Sequence, residues 1–197
     1  VRFKSMQAAR AAEVAVWAAV RDGDRVGILR GSVQEAPVPP ASGARGALRV
    51  LDALVRWYSQ APFDDAGLSK ALDNASRLLR PGSRLIVLAD PRSIAAIPET
   101  RWPALAAHHE VVVLMLTDAL ESEPPKTALP FVVGDHRVEL DLGNAAQRQR
   151  WRNEFKQPVE HALQNLPRRG VRVYSLQGDA PSESWLPLLG RAQSQVA

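Results

Sequence analysis

Two unbroken apolar runs, Leu85 to Leu88 and Val111 to Leu116, set the narrowest limits on what this chain can fold into. A strand with one face in water alternates apolar and polar side chains, whereas a strand buried on both faces reads as a continuous apolar run. The runs therefore predict parallel strands covered by helices, and the stretch Trp102 to His108 between them reads as helical. Arg25 to Leu29 and Val171 to Leu176 are further strand candidates. The expected fold is α/β: a doubly wound, mainly parallel sheet of Rossmann type built from these four segments, with helices on both faces. At 197 residues and 46% apolar content the chain can bury one core of this kind, so residues 1–197 are read as a single domain.

The flanking segments follow from periodicity and turn chemistry. The chain opens on an amphipathic helix with Met6, Ala9, Val16, Trp17 and Val20 on its apolar side and Gln7, Arg10 and Glu13 on its polar side. Asp22-Gly23-Asp24 stops it. Val33 to Val38, ended by Pro39-Pro40, is expected as an antiparallel edge strand, since proline is tolerated at sheet edges and not in the centre. A helix from about 44 to 59 groups Leu48, Leu51, Leu54, Val55 and Tyr58 on one face, and a second from about 67 to 79 turns Leu68, Leu72 and Leu79 inward. Phe131 to Val133 and Val138 to Leu140 flank Gly134-Asp135-His136 as a hairpin. A helical stretch from about 144 to 165 spaces Trp151, Phe155, Val159 and Leu163 by four, with Pro158 kinking it. A last helix is expected from 184 to 192.

Several function classes drop out on composition and motif. Without cysteine there is no disulfide framework, thiolate metal site or Cys nucleophile, which fits a reducing cytoplasm, the expected location. A net charge of +4 licenses only a weak positive field. No apolar run reaches the roughly 18 to 20 residues that span a bilayer. There is no Gly-x-Ser-x-Gly elbow, Walker loop or His-Glu-x-x-His helix, and Gly43-Ala44-Arg45-Gly46 lacks the third glycine and preceding strand of a dinucleotide site. His108 and His109 are adjacent and diverge on a helix; His136 and His161 are isolated. Arg148, Arg150 and Arg152, with Arg168, Arg169 and Arg172 beyond them, could contact phosphates, but Glu154 and Glu160 interrupt them, and a solvated helix face is the better reading. The five tryptophans sit within apolar patterns and read as packing residues.

The segments GDRVGILRG, PVPP, SRLLRPGSRLIVLAD, AAHHEVVVLMLTDALE and LPFVVGDHRVELDL, in that order, resemble the family catalogued as domain of unknown function 58, a branch of the von Willebrand factor A-like folds. The resemblance covers roughly residues 1 to 190. In that family a helix start like Phe3-Lys4-Ser5-Met6-Gln7-Ala8-Ala9-Arg10 follows a strand carrying an Asp-x-Ser-x-Ser metal loop. Here the sequence opens on Val1 without that strand, so the chain is read as a C-terminal fragment of a longer parent, and the sheet is expected to show an open slot beside a neighbouring strand.

By this resemblance Asp90, just past the run Leu85 to Leu88, belongs to a metal-ion-dependent adhesion site that holds Mg²⁺ mostly through water, with serine and threonine hydroxyls as direct ligands. The residues alone leave a second reading open, in which Asp90 caps the turn begun by Pro91-Arg92-Ser93. Asp64 and Asp65 stand where the family's threonine is expected; they offer a cation an oxygen, or cap the following helix. Ser5 lies in the helix start and is not a ligand. No cofactor is expected in this chain, Mg²⁺ belonging to a full-length parent that carries the loop. The implied function is a non-catalytic protein-interaction module of a bacterial protein, an adaptor working with a MoxR-type AAA+ ATPase. The alternatives are a metal-assisted hydrolase using the Asp90 edge and a weak nucleic-acid binder using the arginine clusters.

Overall fold

In the computed structural model of the protein, an α/β fold is built around a three-stranded parallel sheet. The structure describes residues 3–59, 66–133 and 135–190. The elements run α1 (Lys4–Arg21), β1 (Arg25–Ile28), β2 (Val38–Ser42), α2 (Gly43–Ser59), α3 (Gly67–Leu78), β3 (Arg84–Ala89), α4 (Pro91–Ala95), α5 (Arg101–Ala106), β4 (Glu110–Thr117), α6 (Ala119–Ser122), β5 (Ala128–Val133), β6 (His136–Asp141), α7 (Ala145–Trp151), α8 (Gln157–Asn165) and β7 (Arg172–Gln177). A π-helical turn, Arg152–Lys156, joins α7 to α8.

The parallel sheet has the order β3-β4-β7, and β4 is its spine. Every residue of β4 after Glu110 is buried. Val111, Val113 and Met115 pack with Leu72 of α3, Ile94 of α4, Trp102 of α5 and Ala162 of α8. Val112, Leu114 and Leu116 point the other way, toward Ala11 of α1, Leu176 and Trp185. Continuous apolarity thus arises because both faces are covered, and each such side chain contributes about 1.5–3 kcal/mol of burial. At the amino ends of the strands, Glu110 is bridged by Arg84 at 2.9 Å and Arg172 at 2.6 Å, which fastens the three strands side by side.

Four expectations are corrected. β1 does not join the parallel sheet; it pairs antiparallel with β2 in a separate two-stranded sheet. That partner is not Val33 to Val38 but Val38–Ser42, so Pro39 and Pro40 lie within the strand. A two-stranded ribbon leaves its outer edge free of ladder bonds, which makes this the position where proline's missing N–H costs least. A bulge falls between Val26 and Ile28, and a Cβ at Gly27 would lie 2.6 Å from the Val38 carbonyl oxygen, a contact only glycine permits. Third, the stretch expected as one helix from 144 to 165 is α7 and α8 joined by a π turn that ends immediately before Gln157-Pro158, where proline has no N–H to return to the preceding turn. Fourth, the segment after residue 184 is turns and a short 3-10 helix, Leu186–Leu189, with residues 191 and 192 outside those described.

Among the described residues, β3 pairs only with β4 and β1 only with β2, so each has one edge without a strand partner. α1 packs on both sheets, touching β1, β3 and β4. The hairpin β5–β6 forms a third sheet, held through Phe131, whose ring centroid lies 5.4 Å from that of Trp151.

Candidate functional site

Parallel strands deliver the loops that follow them to one rim of the sheet, where open α/β folds place their sites. Here that rim gathers Asp90 after β3, Asp118 after β4 and Asp179 after β7, beside the start of α1. Lys4 at the α1 start reaches across the rim to both carboxylate oxygens of Glu121, each at 2.5 Å. Glu121 in turn belongs to a capping box with Asp118 that sets α6. The start of α1 is also latched from inside. Gln7 is fully buried, its Nε2 donating to the carbonyls of Gln177 at 3.1 Å and Ala180 at 2.9 Å, while its Oε1 accepts from the Ser182 hydroxyl at 3.1 Å. A residue placed by periodicity on the polar side is therefore an interior anchor, and Met6 and Trp17, placed on the apolar side, are 37% and 44% exposed.

Asp90 is the N-cap of α4. Its Oδ1 accepts from the backbone N–H groups of Arg92 at 3.0 Å and Ser93 at 3.1 Å, and its Oδ2 accepts from the Ser93 hydroxyl at 2.5 Å. Burial alone would raise its pKa, but the Ser93 hydroxyl, the Ser93 and Arg92 amides and the nearby Lys4 ammonium outweigh it and hold the carboxyl below the ordinary aspartate range. Because the folded pKa is depressed, this stabilisation is complete above the unfolded aspartate's pKa, near 4, and is lost as pH falls through the folded value. Asp90→Ala is accordingly expected to lose about 1–2 kcal/mol at pH 7, the cost of an N-cap, with Asp90→Asn losing less because its Oδ1 can still accept from both amides. Urea unfolding at pH 7 and pH 3 checks this: the gap between Asp90→Ala and the native chain should narrow at the lower pH.

The described residues do not by themselves make the oxygen shell that Mg²⁺ requires. Both Asp90 oxygens are engaged by protein donors, and no group of three or more His, Asp or Glu among the described residues could hold a metal ion. Asp64 and Asp65 lie outside the described residues.

The rim does contain a large apolar cleft of about 1140 Å³, lined chiefly by Phe3, Leu120, Phe131, Val132, Trp151 and Phe155. The π turn helps to build it. Phe155 lies on that turn with its ring 4.4 Å from that of Trp151, and Trp151 donates its Nε1–H to the Glu121 carbonyl at 3.1 Å. Arg92, two residues past Asp90, lies over the Phe155 ring at 5.6 Å and pairs with Glu154, so the Asp90 turn and the cleft wall are one assembly. Phe3 is 77% exposed and Val132 76% exposed. No local sequence signal marks this cleft, because its walls come from α1, the hairpin and the π turn, brought together only by the fold.

The other candidates are placed as follows. Arg148 donates to the carbonyls of Leu142 and Gly143, Arg169 pairs with Glu99, and Arg172 binds Glu110 and the Leu188 carbonyl, so half of the two arginine clusters is tied into the fold. His108 and His109 stand 6.5 Å apart between ring centroids, edge to face. His161 approaches Glu99 at 3.6 Å.

An open α/β domain with an apolar cleft at the carboxyl rim of its parallel strands is the class that the fold and site define. A family described as "Protein of unknown function DUF58" matches residues 1–164, and the chain belongs to that family. No curated protein and no solved structure matches it.

Proposed function

We propose that this domain is a non-catalytic protein-interaction module whose docking surface is the rim cleft, and that in a longer parent it serves as an adaptor for a MoxR-type AAA+ ATPase. The observation that carries the reading is the cleft: about 1140 Å³, walled mainly by aromatic and aliphatic side chains, with Phe3 and Val132 presented to solvent. Contiguous exposed apolar surface of this kind marks interaction sites. The alternation of helices with the parallel strands β3, β4 and β7 supports a von Willebrand A-like arrangement. Asp90 supports the adaptor over the hydrolase, because its oxygens are occupied in capping α4 and, among the described residues, no histidine or second carboxylate is hydrogen-bonded to it.

Exposed positions can be changed without cost to the core. Phe3→Asp and Val132→Asp, made in the full-length protein, are expected to weaken its binding to the purified ATPase by about tenfold or more, or 1.4 kcal/mol, in a calorimetric titration. Binding that neither variant alters would remove the cleft as the docking surface. Phosphoester and ester turnover with Mg²⁺ or Mn²⁺ that disappears in Asp90→Ala would replace the adaptor with the hydrolase.

A further inference from the structure

α2 has two apolar faces, and the bulkier one is outside. Its inner face is made of Gly46, Ala47, Val50 and Ala53, all buried, and the helix packs against α1, β1 and β2. The outer face carries Leu48, Leu51, Val55 and Tyr58, and of these Leu48 is 62%, Val55 66% and Tyr58 49% exposed. Their spacing, three, four and three residues, is that of a coiled-coil seam, and at 1.5 Å per residue it runs roughly 15 Å along the helix. A single exposed leucine is ordinary, but four large apolar side chains in register on one helix are not.

Charge flanks this seam on the side away from the core. At about 100° per residue, Arg45, Arg49 and Arg56 fall together beside the stripe, and all three are exposed. The acidic groups there are Asp52, which pairs with Arg56 at 3.2 Å, and Glu35, which approaches Arg56 at 3.6 Å and also pairs with Arg30, so the flank keeps a net positive charge through Arg45 and Arg49.

We infer that the outer face of α2 docks an amphipathic helix of a protein partner, with an apolar seam laid on Leu48, Leu51, Val55 and Tyr58 and acidic residues along the flank that meets Arg45 and Arg49. Charge complementarity selects this occupant. A second copy of α2 laid antiparallel would set arginine flank against arginine flank, and like charges repel. An anionic bilayer would meet Asp52 within the flank, and the seam is a narrow helix-width stripe rather than a broad apolar face. The rim cleft lies on other elements, so this docking face stands or falls independently of it.

The test uses two fluorescein-labelled 21-residue helical peptides that share a leucine seam and differ in flank, one bearing glutamates and one lysines. Fluorescence anisotropy against the complete chain is expected to give binding of the acidic peptide at least about tenfold tighter than the basic one, with the advantage falling as salt rises. Leu48→Glu and Val55→Glu should each abolish that binding, and Arg45→Glu with Arg49→Glu should remove the preference between the peptides. Both apolar positions are exposed and glutamate is a good helix former, so the thermal midpoint should stay nearly unchanged. Equal affinity for the two peptides overturns the proposal, as does binding to neither. It is likewise overturned by phosphatidylglycerol vesicles, or a self-dimer seen in sedimentation, that require Leu48 and Val55 while the acidic peptide does not.

Discussion

Replacing Gln7 by glutamate is expected to destabilise the fold by about 3–5 kcal/mol at pH 8 and by much less at pH 4. The side-chain amide is fully buried and donates to two backbone carbonyls, those of Gln177 and Ala180. Those two carbonyl partners fix which end of the amide carries nitrogen. A carboxylate in the same buried place sets negative oxygen against two carbonyl oxygens away from bulk solvent, so the charged form is strongly disfavoured and its pKa in the fold rises. Protonated, the same side chain can donate one of the two lost bonds. The penalty therefore grows as pH climbs above the unfolded glutamate pKa, near 4.3, and levels off only above the raised folded value. Urea midpoints of Gln7→Glu and the native chain, compared at both pH values, check the size and the direction. A variant as stable as the native chain at pH 8 would mean that the α1 latch is not the interior contact described here.

Gly46→Ala is expected to lower stability by about 1–3 kcal/mol, the opposite of what glycine-to-alanine exchange does at most helical positions, where the shorter list of unfolded conformations gives a gain. A Cβ on residue 46 would stand 2.2 Å from the Ala41 carbonyl oxygen and 2.7 Å from its carbon, and both atoms are backbone of β2. Neither can step aside as a flexible side chain could, so α2 and the β1–β2 ribbon must part. For a domain of this size the thermal midpoint should fall by roughly 2–4 °C for each kcal/mol. A raised midpoint would show that the helix does not sit so close to the ribbon.

The same close approach explains why the face of α2 was misread from sequence. Periodicity finds the apolar side of a helix by bulk, and Leu48, Leu51, Leu54, Val55 and Tyr58 are the bulky set. The interface instead selected small residues, Gly46, Ala47 and Ala53, so that helix and ribbon backbones could approach, and it left three of the large ones in solvent. β3, β4 and β7 were legible because a strand covered on both faces cannot hide its composition. Gln7 was not, since the groups that satisfy it lie 170 and 173 residues away along the chain. At the rim, the position of Asp90 past a buried strand and its capping of Pro91-Arg92-Ser93 could both be read locally, because a cap and its partners are neighbours in sequence. The cleft beside it could not: Phe3, Leu120, Phe131 and Trp151 carry no shared pattern until the hairpin and the π turn are in place.

The central position of β4 also sets an order for the chain's assembly. Its contact with β3 closes a short loop, Arg84 to Glu110 being 26 residues apart, whereas its contact with β7 joins Thr117 to Ser175 across 58. Closing the longer loop costs more chain entropy, by about 0.7 kcal/mol on a logarithmic scale, and the α1 latch, spanning 170 residues from Gln7 to Gln177, costs more again. Local contacts form first when closure entropy limits the rate, so β3 and β4 with the helices between them are the natural nucleus, and β7 adds to an existing edge. α1 precedes these strands in the chain, yet its latch is the last of these contacts to close. Until β7 and the turn at Ala180 are in place, Gln7 has no carbonyls to hold, and the part of α1 around Ala11 that meets Leu176 and Trp185 stays available to whatever meets the growing chain.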